Sequence, residues 1–81
     1  MRLVVQLFAR ARDLAEAERL QVELPAGANV AELRSAIVRQ VPALASLLAV
    51  SAVAVNQDFA ADAVVLFDSD EVAIIPPVSG G

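Results

Sequence analysis

Between Pro25 and Pro42 the chain carries one strongly signalled helix, and on both sides of it apolar residues alternate with a period of two. Val30, Leu33, Ile37 and Val41 fall on one helical stripe, opposite Glu32, Arg34, Ser35 and Arg39. That is the spacing of a helix that buries one face. Asn29 stands at the cap position, and Glu32 three residues later completes a capping-box pattern. Pro42 disfavours helical geometry at Val41 and stops the helix there. Upstream, Arg19–Leu24 alternates as a strand, with Leu20, Val22 and Leu24 inward and Arg19, Gln21 and Glu23 outward. Residues 2–9 also suit a strand: Leu3, Val5 and Leu7 on one face, Arg2, Val4, Gln6 and Phe8 on the other. One amphipathic helix among such strands must bury its stripe on a sheet. The fold class expected is a two-layer α+β domain with a single main helix on one sheet face.

The remaining elements are weaker. Residues 9–18 read as a short polar helix or turn with Leu14 as its inward anchor, and residues 42–48 as a turn with loose helical character. Ser51–Val55 is a strand, followed by a turn at Asn56, Gln57 and Asp58. Residues 58–67 hold a short strand at best. Asp68–Asp70 makes a turn, and Glu71–Ile75 is a last strand that Pro76 and Pro77 terminate. The expected order is β, short α, β, α, β, β, β. One domain over residues 1–81 is expected, with residues 78–81 as a free tail.

Composition removes several functions. At this length a domain buries only about 60–65% of the surface of its unfolded chain, and the 58% hydrophobic content suits that demand. Cysteine and histidine are both absent, so thiolate chemistry, disulfides and imidazole acid–base catalysis are unavailable. Six arginines against ten acidic residues give a net charge of −4. Nucleic-acid binding needs a basic footprint that this chain does not have. The apolar start of the chain is interrupted at Arg10 and is too short for a signal peptide. The uncharged stretch from Gln40 to Gln57 contains Pro42, Ser46, Ser51 and Asn56 and does not read as a membrane span. A soluble cytoplasmic protein is expected, with no nucleic-acid or membrane partner.

The C-terminus carries the chemistry. Of the three glycines, at positions 27, 80 and 81, two close the chain. Pro76 and Pro77 stiffen the exit from the last strand. Val78 and Ser79 are small, and Gly80 and Gly81 have no side chains, so the tail is a thin probe able to enter a narrow catalytic tunnel. Its tip is a carboxylate, a poor electrophile that becomes reactive once converted to an acyl-adenylate. A sulfur-delivering group attacking that carbon would leave a thiocarboxylate, a soft nucleophile. This chain has no group to perform those steps, so partner enzymes must.

The LFARARDL segment, the AVNQ turn and the DSDEVAIIPPVSGG ending, at their spacing, resemble the MoaD family, the small subunits of molybdopterin synthase. The resemblance covers the whole chain. It implies a ubiquitin-like β-grasp fold with a mixed sheet, and a sulfur carrier. An adenylating enzyme of the MoeB type would use ATP to activate Gly81, and a sulfurtransferase would supply sulfur. The tail would then enter a large subunit of the MoaE type and donate sulfur to cyclic pyranopterin monophosphate. No cofactor is expected on this chain itself. The chain departs from the family at Ser69, where glycine is frequent, and at Ile74 and Ile75, where aromatic residues commonly precede the prolines.

Gly81 is thus the expected reacting group, and Phe8, Ile75, Pro76, Pro77, Val78, Ser79 and Gly80 the expected partner-binding residues. Phe8 and Ile75 should form an exposed apolar patch beside the tail, as first and last strands are neighbours in a β-grasp sheet. Asp68, Asp70 and Glu71 read as a solvated turn, since a calcium loop counted from Asp68 would have Ala73 and Ser79 where glycine and glutamate belong. Arg10, Arg12 and Asp13 read as a solvated helix turn, with partner contact as the alternative. The chain has no lysine, which argues against a tag that forms chains of itself. Three other readings stay open at this point: a carrier for thiazole (the ThiS type) or cysteine synthesis, a ubiquitin-like protein tag, and a binding module with an inert tail.

Overall fold

The computed structural model describes residues 1–78. Ser79, Gly80 and Gly81, and with them the expectations for the tip of the tail, lie outside the described residues. The elements are β1 (Arg2–Leu7), α1 (Ala9–Ala15), β2 (Arg19–Glu23), α2 (Val30–Gln40), a 3-10 turn (Pro42–Leu44), α3 (Ala45–Ala49), β3 (Ala52–Val55), β4 (Asp58–Phe59) and β5 (Val72–Ile75). The strands form one mixed sheet in the order β2-β1-β5-β3-β4. β5 runs parallel to β1 and antiparallel to β3. The fold is a ubiquitin-like β-grasp, with α2 across one sheet face.

Alternation decides which face that is. Leu3, Val5 and Leu7 of β1, Leu20 and Val22 of β2, Val53 of β3, and Val72 and Ile74 of β5 are buried against Val30, Leu33 and Ile37 of α2. The core is aliphatic throughout. Asn29 Oδ1 accepts from the Glu32 N–H at 3.0 Å, and Glu32 Oε1 accepts from the Asn29 N–H at 3.2 Å. The capping box read from the sequence is present. Two further donors at the start of α2 are met from across the fold: Val30 N–H by the Val64 carbonyl and Ala31 N–H by the Asp62 carbonyl, both at 3.0 Å.

Several boundaries differ from the expectations. β1 stops at Leu7, not residue 9, because Ala9 adopts φ +50° and turns the chain directly into α1. In α1 the fully buried side chain is Ala11, whereas Leu14 is only partly covered. Residues 42–49 are helical, in two short pieces that bury Leu44 and Leu48. Asn56 and Gln57 have φ of 52° and 72°, the type I′ geometry that lets two residues join β3 to β4. Ser69 is not among the positive-φ residues, so a turn that often uses glycine accepts serine here.

Candidate functional site

β5 lies between two neighbours, so the segment leading into the tail is held on both sides by backbone hydrogen bonds. Val72 and Ile74 anchor it in the core, and Ala73 and Ile75 turn to the opposite face. Beyond Ile75 the covering thins out: Pro76 is half-buried, Pro77 exposed and Val78 95% exposed. The last strand residue before Gly81 is therefore Ile75, at the end of a central strand. Gly81 lies six positions beyond Ile75, a span of at most about 20 Å at roughly 3.3 Å per residue.

The sheet face away from α2 is the notable surface. Gln6, Phe8, Ala54, Phe59, Ala73 and Ile75 line a hollow of about 400 Å³ there. Phe8 is 44% exposed and Phe59 78% exposed. Phe8 and Ile75, paired from the sequence, do meet at this hollow, though Ile75 is half-buried where full exposure was expected. The parallel β1–β5 pairing, with Leu7 beside Ile74, brings the ends of the two strands together. All the aromatic residues of the chain are phenylalanines, and none enters the core: Phe67 is 63% exposed as well. Rings left this exposed bring only part of their burial energy to the folded monomer. Where they cluster, they supply area for a partner to cover.

The sequence reading does not single out Phe59, although a signal for it exists. Val53 points into the core, so Ala54 points out, and the two-residue turn at Asn56-Gln57 pairs Ala54 with Phe59. Residues directly opposite in a ladder share a face. The short strand β4 thus delivers a phenylalanine to the same hollow as Phe8.

A second hollow lies at the root of the tail, where Pro76, Pro77 and Val78 face Arg10 and Asp13 of α1 and Leu47 of α3. Arg10, Arg12 and Asp13 are exposed, as expected, and Arg10 borders the tail while Arg12 borders Phe8 on its other flank. The turn before β5 is more than a solvated one. Asp70 accepts hydrogen bonds from Asn56 Nδ2 at 2.9 Å and from the Phe67 N–H at 2.8 Å. No group of three or more acidic side chains suited to a metal ion occurs among the described residues. At the far sheet edge, hydrogen bonding from Arg2, and then its charge, lowers the Glu23 carboxyl below its usual range.

Residues 5–81 match the ThiS family. The chain belongs to that family. Relatives that bear a more specific name match across nearly the whole length. The molybdopterin synthase sulfur carrier subunit of Chlamydomonas reinhardtii is 40% identical over 83 aligned positions, covering all of both chains. Among solved structures, the small archaeal modifier protein 1 of Haloferax volcanii superposes with a TM-score of 0.91 at 29% identity, again over the full length of both chains. A chain in the complex of subunits 1 and 2 of the molybdopterin-converting factor from Helicobacter pylori matches with a TM-score of 0.71 at 27% identity, over all of both chains. No described helix of this ThiS-family member is long and apolar enough to cross a membrane.

Proposed function

We propose that this chain is the sulfur-carrier subunit of a molybdopterin synthase. The observation that carries the reading is the full-length, 40% identical relative of that name, together with a chain ending that suits the chemistry. Gly81 is the reacting residue. Its carboxylate attacks the α-phosphorus of ATP on an adenylating enzyme of the MoeB type, and pyrophosphate leaves. Hydrosulfide, released by a sulfurtransferase, attacks the acyl carbon, AMP leaves, the sulfur loses its proton, and a thiocarboxylate results. The carrier itself binds no cofactor; ATP belongs to the activating partner. The thiocarboxylate is then brought to a large subunit of the MoaE type, where its sulfur passes to cyclic pyranopterin monophosphate. These steps use ATP and unfinished cofactor precursors, and the carrier works in the cytoplasm.

In this reading the domain supplies position rather than catalysis. The hollow around Phe8, Phe59 and Ile75 docks the body of the carrier, and the rigid end of β5 then fixes where the tail enters its partner. The two-subunit complex from Helicobacter pylori supports a large-subunit partner. A second reading, a protein tag joined through Gly81, draws support from the likeness to the small archaeal modifier protein 1.

Intact-mass measurement of the protein from its native cell separates the two. Replacement of one terminal oxygen by sulfur, with a large subunit copurifying, is the expected result. Amide-linked conjugates to other proteins, with no thiocarboxylate, would move the assignment to a tag.

A further inference from the structure

The chain contains no lysine, so its single primary amine is the α-amino group of Met1. The sheet ties that group down. Met1 N donates to the Leu24 carbonyl, and Leu24 N–H returns a hydrogen bond to the Met1 carbonyl at 2.9 Å. Because β1 and β5 are parallel, with Leu7 beside Ile74, the tail leaves the sheet where β1 ends. Met1 sits at the opposite end, roughly 20 Å from Leu7 at about 3.3 Å per strand residue.

The root of the tail is where an amine would do harm. Arg10 borders the hollow that also holds Pro76, Pro77 and Val78. The three residues from Val78 to Gly81 span at most about 10 Å, so the terminal acyl carbon is tethered that closely to Val78, which lines the same hollow as Arg10. The cation there is an arginine. A guanidinium stays protonated and does not act as a nucleophile, whereas a lysine, with a pKa of about 10.4, exposes a reactive free amine in part of the population.

We infer that the exclusion of lysine, with Arg10 at the tail root, keeps the activated Gly81 from acylating its own chain. The inference rests on the reading of Gly81 as an activated terminus and adds a specificity-determining residue to it. The reaction avoided is an aminolysis. An amine nitrogen attacks the acyl carbon, a C–N bond forms, and the bond to the leaving group breaks. The nitrogen gives up a proton, and AMP or a thiol departs. The product is an internal amide, and a carrier so closed can no longer accept sulfur.

The test uses the full chain with Gly81 prepared chemically as a thioester of a small thiol, so that no partner enzyme enters. Wild type, Arg10→Lys and Arg2→Lys are held at mildly alkaline pH and followed by intact mass and peptide mapping. Arg2 lies at the far end of β1 and its replacement keeps the charge beside Glu23. Wild type and Arg2→Lys should hydrolyse to the free acid. Arg10→Lys should pass to a species one water lighter than the acid, with the introduced side-chain amine at position 10 joined to Gly81. It should do so at least about tenfold faster than Arg2→Lys forms any internal amide, since a nearby tethered group reacts at high effective concentration. Hydrolysis of Arg10→Lys at the wild-type rate without cyclisation would overturn the inference, as would equal cyclisation of both variants or closure of wild type onto Met1. The outcome is independent of whether the native protein carries sulfur, so the two conclusions fail separately.

Discussion

Asn56 and Asp70, fourteen residues apart, are joined by a 2.9 Å hydrogen bond from the asparagine amide to a carboxylate oxygen. Asn56 Oδ1 accepts from the Glu71 N–H at 2.9 Å, and the Asn56 N–H donates to the Glu71 carbonyl at 2.7 Å. One residue therefore fastens the β3–β4 turn to the start of β5, the strand that aims the tail. It does so in the left-handed conformation, at φ 52°, which asparagine tolerates better than most residues.

Asn56→Ala should lose about 2–4 kcal/mol of stability, from the two side-chain hydrogen bonds and the left-handed backbone. Asn56→Gly removes the same bonds but none of the conformational freedom, and should recover about 1 kcal/mol. Urea unfolding of the three proteins checks the order. Equal losses in both variants would mean that the backbone conformation at position 56 costs nothing.

Phe59→Arg should leave the thermal melt unchanged, because the ring is 78% exposed, yet weaken binding to the large subunit. Burying a phenylalanine is worth roughly 1.5–3 kcal/mol, so the loss should be about 10- to 100-fold. Phe8→Arg should weaken binding similarly and also lower the melt, since more than half of that ring is covered. Phe67→Arg, on a ring outside the hollow, should leave affinity as it is. A titration in which Phe67→Arg is the most damaging of the three would put the docking face elsewhere.

Appending one alanine after Gly81 should abolish sulfur transfer with almost no effect on stability. One residue displaces the reacting carbon by up to about 3.3–3.6 Å and adds a methyl group beside it. Displacement of about 1 Å is enough to cost on the order of a hundredfold in rate. Supplied with adenylating enzyme, ATP and a sulfur source, wild type should gain sulfur and the extended chain should not. Equal thiolation and molybdopterin formation by both would remove Gly81 from the chemistry.

The Arg2–Glu23 pair should make a small contribution that depends on pH. Arg2 lowers the folded-state pKa of Glu23, so the folded protein binds the proton less readily than the unfolded chain. The stabilisation is present above the ordinary glutamate value and disappears as pH falls through the lowered one. Carboxyl-carbon NMR should find Glu23 titrating below the usual range, and Arg2→Gln should return it there. High salt should have the same effect in wild type, because both side chains are exposed.

The strands and main helix were legible because their signals are local. Leu20, Val22 and Leu24 alternate without interruption, and the capping box spans only Asn29 to Glu32, so a few neighbouring residues suffice to set each element. The ending Pro76 to Gly81 could be read for a different reason: the chemistry proposed for it lies in covalent structure and the absence of side chains, and needs no fold. The apolar pairing of Phe8 with Ile75 followed once the first and last strands were set side by side.

What the sequence could not determine is decided by contacts between distant segments. Residues 60–67 have no repeating pattern, because their work is done by carbonyls: those of Asp62 and Val64 cap α2, and Leu66 fills the core. Backbone acceptors carry no residue signature. Ala11 rather than Leu14 is the buried residue of α1, since the space beneath that helix is set by elements that arrive from elsewhere in the chain. Phe59 reaches the hollow only through the register with Ala54, and Arg10 reaches the tail root only because β5 runs parallel to β1. Local chemistry wrote the elements and the end proposed to react. The surface that positions that end exists only once strand order brings residues 8, 59 and 75 together.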